Sequence, residues 1–188
     1  MISIKRFKKF KPIIFLTLFI PILIWSYQFI NGSLGVNPIE KLMDNLGEMA
    51  LRLIVLTLFI SSLSEFKKLR FLIEVRRMIG LFAFFYASCH FVTYIALDHF
   101  FDINFIIKDI IKRPFITFGF LSFVFLIPLV ITSPKKMLKK IGFKIWKKIH
   151  YLIYPAAVLS SVHFYMLVRA NKIEPAIYIF LILILLLY

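Results

Sequence analysis

Six long apolar runs separated by short charged connections make up most of the 188-residue chain. A helix needs roughly 20 apolar residues to cross a hydrocarbon core about 30 Å thick. Because 61% of the residues are hydrophobic and only 18% are charged, an ordinary soluble domain is excluded. The sequence therefore predicts an all-α membrane protein, a single domain of residues 1–188 that forms a six-transmembrane-helix bundle. The predicted helices cover residues 12–30, 49–64, 78–97, 114–134, 149–168 and 175–188.

The same residues exclude several other classes of protein. The runs lack the apolar–polar alternation of transmembrane β-strands. The net charge of +15 would suit nucleic-acid binding, but the basic residues lie in the connections and leave no polar domain to hold a duplex. The single cysteine, Cys89, allows no intramolecular disulfide and no cysteine-based zinc site. The first run is of span length and has no small-residue cleavage site, so we expect it to be retained.

Lysine and arginine are distributed unevenly between the two sides of the predicted bundle. The N-terminal arm and the second and fourth connections hold 17 of the 24, the other connections hold six, and Arg52 lies within the second run. Because basic residues concentrate in cytoplasmic loops, the sequence predicts a cytoplasmic N-terminus with both termini inside. The sixth run rises only about 21 Å, so we expect either an incomplete span or a chain that stops early at Tyr188.

Two histidines inside apolar runs are the first candidates for function. An ionisable group in a membrane span is a functional candidate by default, although a single one can equally serve as a helix–helix hydrogen bond. His90 lies 13 residues after Arg77, and His163 lies 15 residues after Lys148. In continuous parallel helices both would lie about 20 Å from the cytoplasmic boundary. Two imidazoles at one depth on neighbouring helices match the axial ligands of a haem iron, so we predict a haem held by His90 and His163.

A third histidine, His150, lies 13 residues before His163 in the same predicted helix. The rise of about 20 Å between them fits a second haem site near the cytoplasmic face. Thirteen residues also turn an ideal helix by about 220°, so the rings can share a groove only if the helix is distorted, for which Pro155 is a candidate. No histidine lies opposite on the third helix, and the second ligand of this site is undetermined.

The remaining polar groups have alternative interpretations. Arg77, with Arg76, could pair with haem propionates or a flavin phosphate, or the two could simply mark the positive-inside end of the third helix. Trp146 has the position of an interfacial aromatic residue. We expect the polar groups of the third connection to be solvated, namely Asp98, His99, Asp102 and Asp109.

Motifs along the whole chain resemble those of the MsrQ (YedZ) family, within the ferric-reductase-like transmembrane superfamily. In order, they are residues 37–40 (NPIE), Gly47 with Ala50-Leu51, 76–81 (RRMIGL), His90, Tyr94, 112–115 (KRPF), Thr132-Ser133, Gly142, Trp146, Ile149-His150, Tyr154 and His163. The resemblance implies six transmembrane helices, one or two b-type haems and a bound FMN. It also implies that His90, His150 and His163 are the haem ligands.

The resemblance further implies a role in electron transport in the bacterial inner (cytoplasmic) membrane. The electrons would come from the quinone pool or a cytoplasmic flavin reductase. They would pass to a periplasmic molybdopterin-dependent, MsrP-like methionine-sulfoxide reductase subunit that repairs oxidised proteins, so that the sulfoxide chemistry belongs to the partner. Two alternatives stay open: a transmembrane ferric or other metal reductase that uses the same haem path, and a small proton-coupled transporter in which the histidines relay protons.

Overall fold

The computed structural model describes residues 9–187, so the basic residues Lys5, Arg6 and Lys8 and the terminal Tyr188 lie outside the described part. The chain forms two compact units, and the boundary between them lies between Phe101 and Asp102. The first contains α1 (Lys11–Ile30), α2 (Pro38–Leu63) and α3 (Ile73–Thr93). The second contains α4 (Ile103–Lys112), α5 (Pro114–Thr132), α6 (Lys135–Ile141), α7 (Phe143–His150), α8 (Ile153–Leu167) and α9 (Ile173–Leu187).

Four helical segments in residues 9–187 are long and apolar enough to cross a membrane. They are α1, α2, α5 and the segment Lys67–Asp98, in which α3 is preceded by a short 3-10 helix and followed by a π-helical turn. The predicted fifth and sixth spans correspond to α8 and α9, which have 15 residues each. The all-helical membrane architecture is thus confirmed, whereas the count of six spans and the cytoplasmic N-terminus stay predictions.

Helix α2 begins at Pro38, well before the start at residue 49 that the apolar run predicted. Asn37 caps it: its side-chain oxygen accepts the Glu40 N–H at 3.4 Å, and its amide nitrogen donates to the Glu40 carboxylate at 2.7 Å. Pro38 occupies the first helical position, where its missing N–H costs nothing. A count of apolar residues finds only the part of a helix that lies in hydrocarbon, and this helix extends beyond it.

The first unit is held together mainly by the packing of α2 on α3. Buried aliphatic and small side chains form this contact, and among them Ala83 is 2% exposed and Leu46 1%. Helix α1 is attached by the Tyr86 hydroxyl, which donates to the Leu18 carbonyl at 2.7 Å, and by a 3.0 Å salt bridge between Lys11 and Glu74. Tyr86 is fully buried, so its hydroxyl needs this partner.

The second unit is built on the packing of α5 against α8, where small residues let the two backbones approach. Ala156 and Ala157 are fully buried, and the Ser122 hydroxyl donates to the Ala156 carbonyl at 2.8 Å. Small side chains and interhelical hydrogen bonds from hydroxyl groups commonly stabilise the packing of membrane helices. Helix α9 contributes Ile182 to the same core.

The predicted helix over residues 149–168 is interrupted, because a turn at residues 151–152 separates α7 from α8. Pro155 explains the break: it has no N–H to donate to the Tyr151 carbonyl four residues earlier, and its ring would clash with that carbonyl. The Tyr151 carbonyl instead accepts the Tyr154 N–H at 3.1 Å. His150 and His163 therefore lie on two helices rather than on one, and the 20 Å separation inferred from a continuous helix no longer follows.

Candidate functional site

His90 is anchored in the first unit by the backbone of α2. It lies one turn before the end of α3, half-buried, and its Nδ1 is 2.9 Å from the Met43 carbonyl oxygen. One turn further along α2, Gly47 leaves space for the ring: a Cβ on this residue would lie 3.1 Å from both Nδ1 and Cε1 of His90. A carbonyl only accepts hydrogen bonds, so Nδ1 carries the proton, and a neutral ring then has its lone pair on Nε2.

His163 has the same arrangement in the second unit. It lies one turn before the end of α8, and its Nδ1 is 2.6 Å from the Phe115 carbonyl oxygen on α5. Gly119 follows Phe115 by one turn, and a Cβ there would lie 2.9 Å from Nδ1 and 3.0 Å from Cε1 of His163. In both units, then, a histidine ring lies against a helix glycine and donates to the carbonyl four residues before that glycine.

His150 is held within its own short helix. Its Nδ1 is 3.1 Å from the Trp146 carbonyl oxygen, and its ring stacks on the Trp146 indole with centroids 3.8 Å apart. The indole N–H in turn donates to the Thr132 carbonyl, at the end of α5, at 3.1 Å. Trp146, which the sequence suggested as an interfacial aromatic and as one of the family's motif residues, connects His150 to α5.

These three environments suit ligation of haem iron by Nε2. Ligating histidines commonly donate their other ring N–H to a backbone carbonyl or carboxylate, which fixes the tautomer and the ring orientation and raises the basicity of the ligand. His90, His150 and His163 each have such a carbonyl at Nδ1. Among residues 9–187, no three His, Cys, Asp or Glu side chains are grouped so that they could hold a metal ion.

The arginine candidates occupy different surroundings. Arg77 is exposed in the second turn of α3, where an anionic group can reach it. Arg76 is half-buried, and its Nη1 lies 3.4 Å from the Ser61 hydroxyl on α2. A second charged feature lies within α2, where Arg52 and Glu48 form a 2.7 Å salt bridge one turn apart.

Two groups expected to be solvated are not. The His99 side chain is only 15% exposed, and it contacts the Asp98 carboxylate at 3.4 Å and the Tyr94 ring edge-on at 4.5 Å. The Asp109 side chain is 5% exposed and is paired with Arg113 at 2.7 Å. The predictions of solvated side chains at these positions are wrong, because the third connection forms a π-helical turn and the helix α4 instead of an open loop.

The carbonyl partners of the histidines could not be found from the sequence, because every residue has a carbonyl. Gly119 does have a signal: a glycine inside an apolar helix costs roughly 1 kcal/mol relative to alanine and so suggests a packing or functional reason. No functional role was predicted for Gly119, and Gly47 was expected only as part of the family motif.

Comparison with known proteins identifies the family. The sequence pattern of the "Ferric reductase like transmembrane component" family matches residues 46–161. The chain is also 43% identical over 162 residues to the "Protein-methionine-sulfoxide reductase heme-binding subunit MsrQ" of Herminiimonas arsenicoxydans, an overlap of 86% of this chain and 74% of the relative. The chain belongs to the MsrQ family. Other MsrQ proteins agree with this assignment at lower identity.

The MsrQ protein of Caulobacter vibrioides is 41% identical over 166 residues, which are 88% of this chain and 79% of the relative. That of Azospira oryzae is 38% identical over 183 residues, which are 97% of this chain and 78% of the relative. The resemblance inferred from the motifs is thereby confirmed. The matched residues 46–161 include His90, His150, Gly47 and Gly119, while His163 lies just beyond them.

Proposed function

We propose that this chain is a membrane cytochrome b of the bacterial inner membrane. It would pass electrons from the quinone pool, or from a cytoplasmic flavin reductase, to a periplasmic molybdopterin-dependent methionine-sulfoxide reductase subunit. The names of the MsrQ relatives, each a haem-binding subunit of protein-methionine-sulfoxide reductase, support this proposal. The observation that carries it is the carbonyl at Nδ1 of each of the three histidines.

In this proposal His90 and His163 would together hold one haem through their Nε2 atoms, at the outer side of the membrane. The haem iron supplies one-electron transfer between its ferric and ferrous states. The protein contributes two neutral ligands, which suit a low-dielectric site better than charged ones. The Met43 and Phe115 carbonyls keep each ring in the tautomer and orientation that present Nε2.

His150 would hold a second haem on the cytoplasmic side, with a second ligand that is not a histidine of α3. Its Nδ1 carbonyl partner and its stacking partner both belong to Trp146 of its own short helix, and α3 offers no opposing histidine at this level, so we expect this haem to be bound more weakly than the outer one. Arg77, exposed at the same predicted side of the membrane, would pair with a haem propionate or with the phosphate of FMN.

The proposed direction of transfer depends on the orientation of the chain. Helices α6 and α7 hold seven lysines and no acidic residue, which is the strongest positive-inside signal in the described residues. The loop after Ile141 turns at Gly142, whose φ of 79° favours glycine, and this turn places both helices in one basic segment. We propose that this segment faces the cytoplasm, where a donor would deliver electrons to the group that His150 would hold.

The test measures the haem content and the low-spin haem spectrum of single variants of the full chain, purified in detergent. We expect His90→Ala and His163→Ala to lose the same low-spin haem signal, because both residues would hold the same iron. His150→Ala should lose part of the haem and slow reduction from the cytoplasmic side, while dithionite still reduces the rest. His99→Ala is the matched control and should keep the parent spectrum. A parent-like spectrum in the His90 or His163 variant would contradict the pairing.

A transmembrane ferric reductase is the second candidate, favoured by the description of the matched family. The two functions are separated by acceptor: reduction of ferric citrate at the outer face without any partner subunit would favour the metal reductase. A proton-coupled transporter is the third candidate, and it would give purified protein without a haem Soret band. Any such band excludes it as the main role of these histidines.

A further inference from the structure

Helix α4 presents an apolar stripe that no part of the described chain covers. The stripe consists of Ile103, Ile107 and Ile111, one turn apart, with exposures of 58%, 51% and 74%. The neighbouring helix face is polar and holds Asn104, Lys108 and Lys112, all exposed. Residues three and four apart share a helix face, so the two faces run the length of α4 side by side. An exposed aliphatic stripe bordered by lysines is typical of a helix that lies in a membrane interface.

The angle between α4 and α5 is fixed by local contacts. Only Arg113 separates the two helices, in an extended conformation before Pro114. Its Nε is 2.7 Å from the Asp109 carboxylate, which is buried within the unit, and the Thr117 hydroxyl of α5 donates to the Ile110 carbonyl of α4. These contacts hold helix α4 in a fixed orientation against the beginning of α5.

Because α5 is a membrane-spanning candidate that begins at Pro114, we expect its first turn at one boundary of the hydrocarbon core. A helix of ten residues, about 15 Å long, that is held against this turn would lie at the same boundary. We propose that α4 is an interfacial helix whose stripe enters the lipid layer. Lys108 and Lys112 would contact the phosphates of anionic phospholipids, which complement their charge.

The test is site-directed spin labelling of the full chain in vesicles of phosphatidylethanolamine and phosphatidylglycerol, in a Cys89→Ala background. We expect labels at Ile107→Cys and Ile111→Cys to be relaxed more by oxygen than by a water-soluble nickel chelate, because oxygen concentrates in lipid. The matched control Lys108→Cys should show the reverse. Leu121→Cys, on the exposed side of α5, calibrates the value inside the bilayer, and circular dichroism checks that each variant is folded.

Two results would overturn the proposal. If nickel relaxes the label at Ile107 as strongly as the label at Lys108, the stripe faces water. If the labels on the stripe are immobile and shielded from both reagents, a second copy of the chain or another protein covers it instead of lipid. Replacing phosphatidylglycerol by phosphatidylcholine should lower the oxygen-to-nickel ratio at Ile107, and an unchanged ratio would refute the part of the proposal that concerns anionic lipid.

Discussion

Substituting Gly119 by alanine tests whether the His163 ring must lie against the α5 backbone to bind haem. The added Cβ would lie 2.9, 3.0 and 3.1 Å from three ring atoms of His163; the first contact is closer than real Cβ atoms come, and the other two are tighter than nearly all real Cβ contacts. Ordinary contact begins at 3.4 Å, so the ring must retreat by about 0.5 Å. A retreat directly away from α5 lengthens the 2.6 Å bond to the Phe115 carbonyl to about 3.1 Å, near the long limit for N–H···O.

Two opposite free-energy effects accompany this change. Alanine in place of a helix glycine favours the helix by about 0.5–1 kcal/mol, whereas overpacking typically costs about 1–3 kcal/mol and a weakened hydrogen bond up to about 1 kcal/mol more. We therefore expect Gly119→Ala to lower stability on balance. The more specific effect is on haem: complete loss of the group that orients a ligating histidine typically lowers metal affinity about 10–100-fold, and because this bond is weakened and not lost, we expect a decrease at or below the lower end of that range.

Gly80→Ala is the matched control for this experiment. Gly80 also lies inside a membrane helix, but a Cβ there would meet only Thr57 at 3.7 Å and no histidine. The control should keep haem affinity and gain up to about 1 kcal/mol of stability. The assay is titration of haem into apoprotein in detergent, with the low-spin signal recorded for each variant. Equal haem affinity in Gly119→Ala and Gly80→Ala would refute the argument that the Gly119 space positions His163.

Three further predictions concern the His150 stack, the packing of α5 on α8 and the orientation of the chain. Trp146→Leu removes both the stack on His150 and the indole hydrogen bond to α5, so haem content should fall as in His150→Ala; full haem content would show that the stack is dispensable. Ser122→Ala removes a buried interhelical hydrogen bond and should lower thermal stability by about 0.6 kcal/mol, whereas a loss above 2 kcal/mol would contradict a simple hydrogen-bond role. A periplasm-specific reporter fused after Asp102 should be active and one fused after Lys140 silent, and the reverse pattern would contradict the proposed orientation.

The helix boundaries were predictable where proline or charge marks the end of an apolar run. Helix α1 was expected at residues 12–30 and is Lys11–Ile30, and α5 begins at Pro114 as expected. The prediction of α2 missed its first turns, because a capped helix continues through the charged residues outside the hydrocarbon. The interruption before α8 was missed as well, although Pro155 was suspected of distorting the helix.

The candidate site was only partly predictable, for a physical reason. Histidine in an apolar run is rare enough to be noticed, so His90, His150 and His163 could be selected from the sequence. The rings are held by backbone carbonyls, which every residue has and which no pattern can single out. They also lie against two helix glycines, Gly47 and Gly119, which are unusual inside a helix but do not themselves indicate a histidine partner. Stacking of Trp146 on His150 depends on their spacing of four within α7, and this helix was not predicted as a separate element.

The hydrogen bonds from the three histidines to backbone carbonyls also affect how charge would cross the membrane. A ring whose Nδ1 proton is held by a carbonyl cannot take up a proton at one nitrogen and release another without first breaking that bond. In the proposed electron transfer, these rings would therefore carry no proton along with the electron, and a transfer without any proton would be electrogenic. When the interior is negative, an electron that moves outward across the full membrane potential would lower its free energy by about 2.3 kcal/mol per 100 mV. In right-side-out vesicles with such a potential, collapse of the potential by an ionophore would therefore slow outward electron transfer.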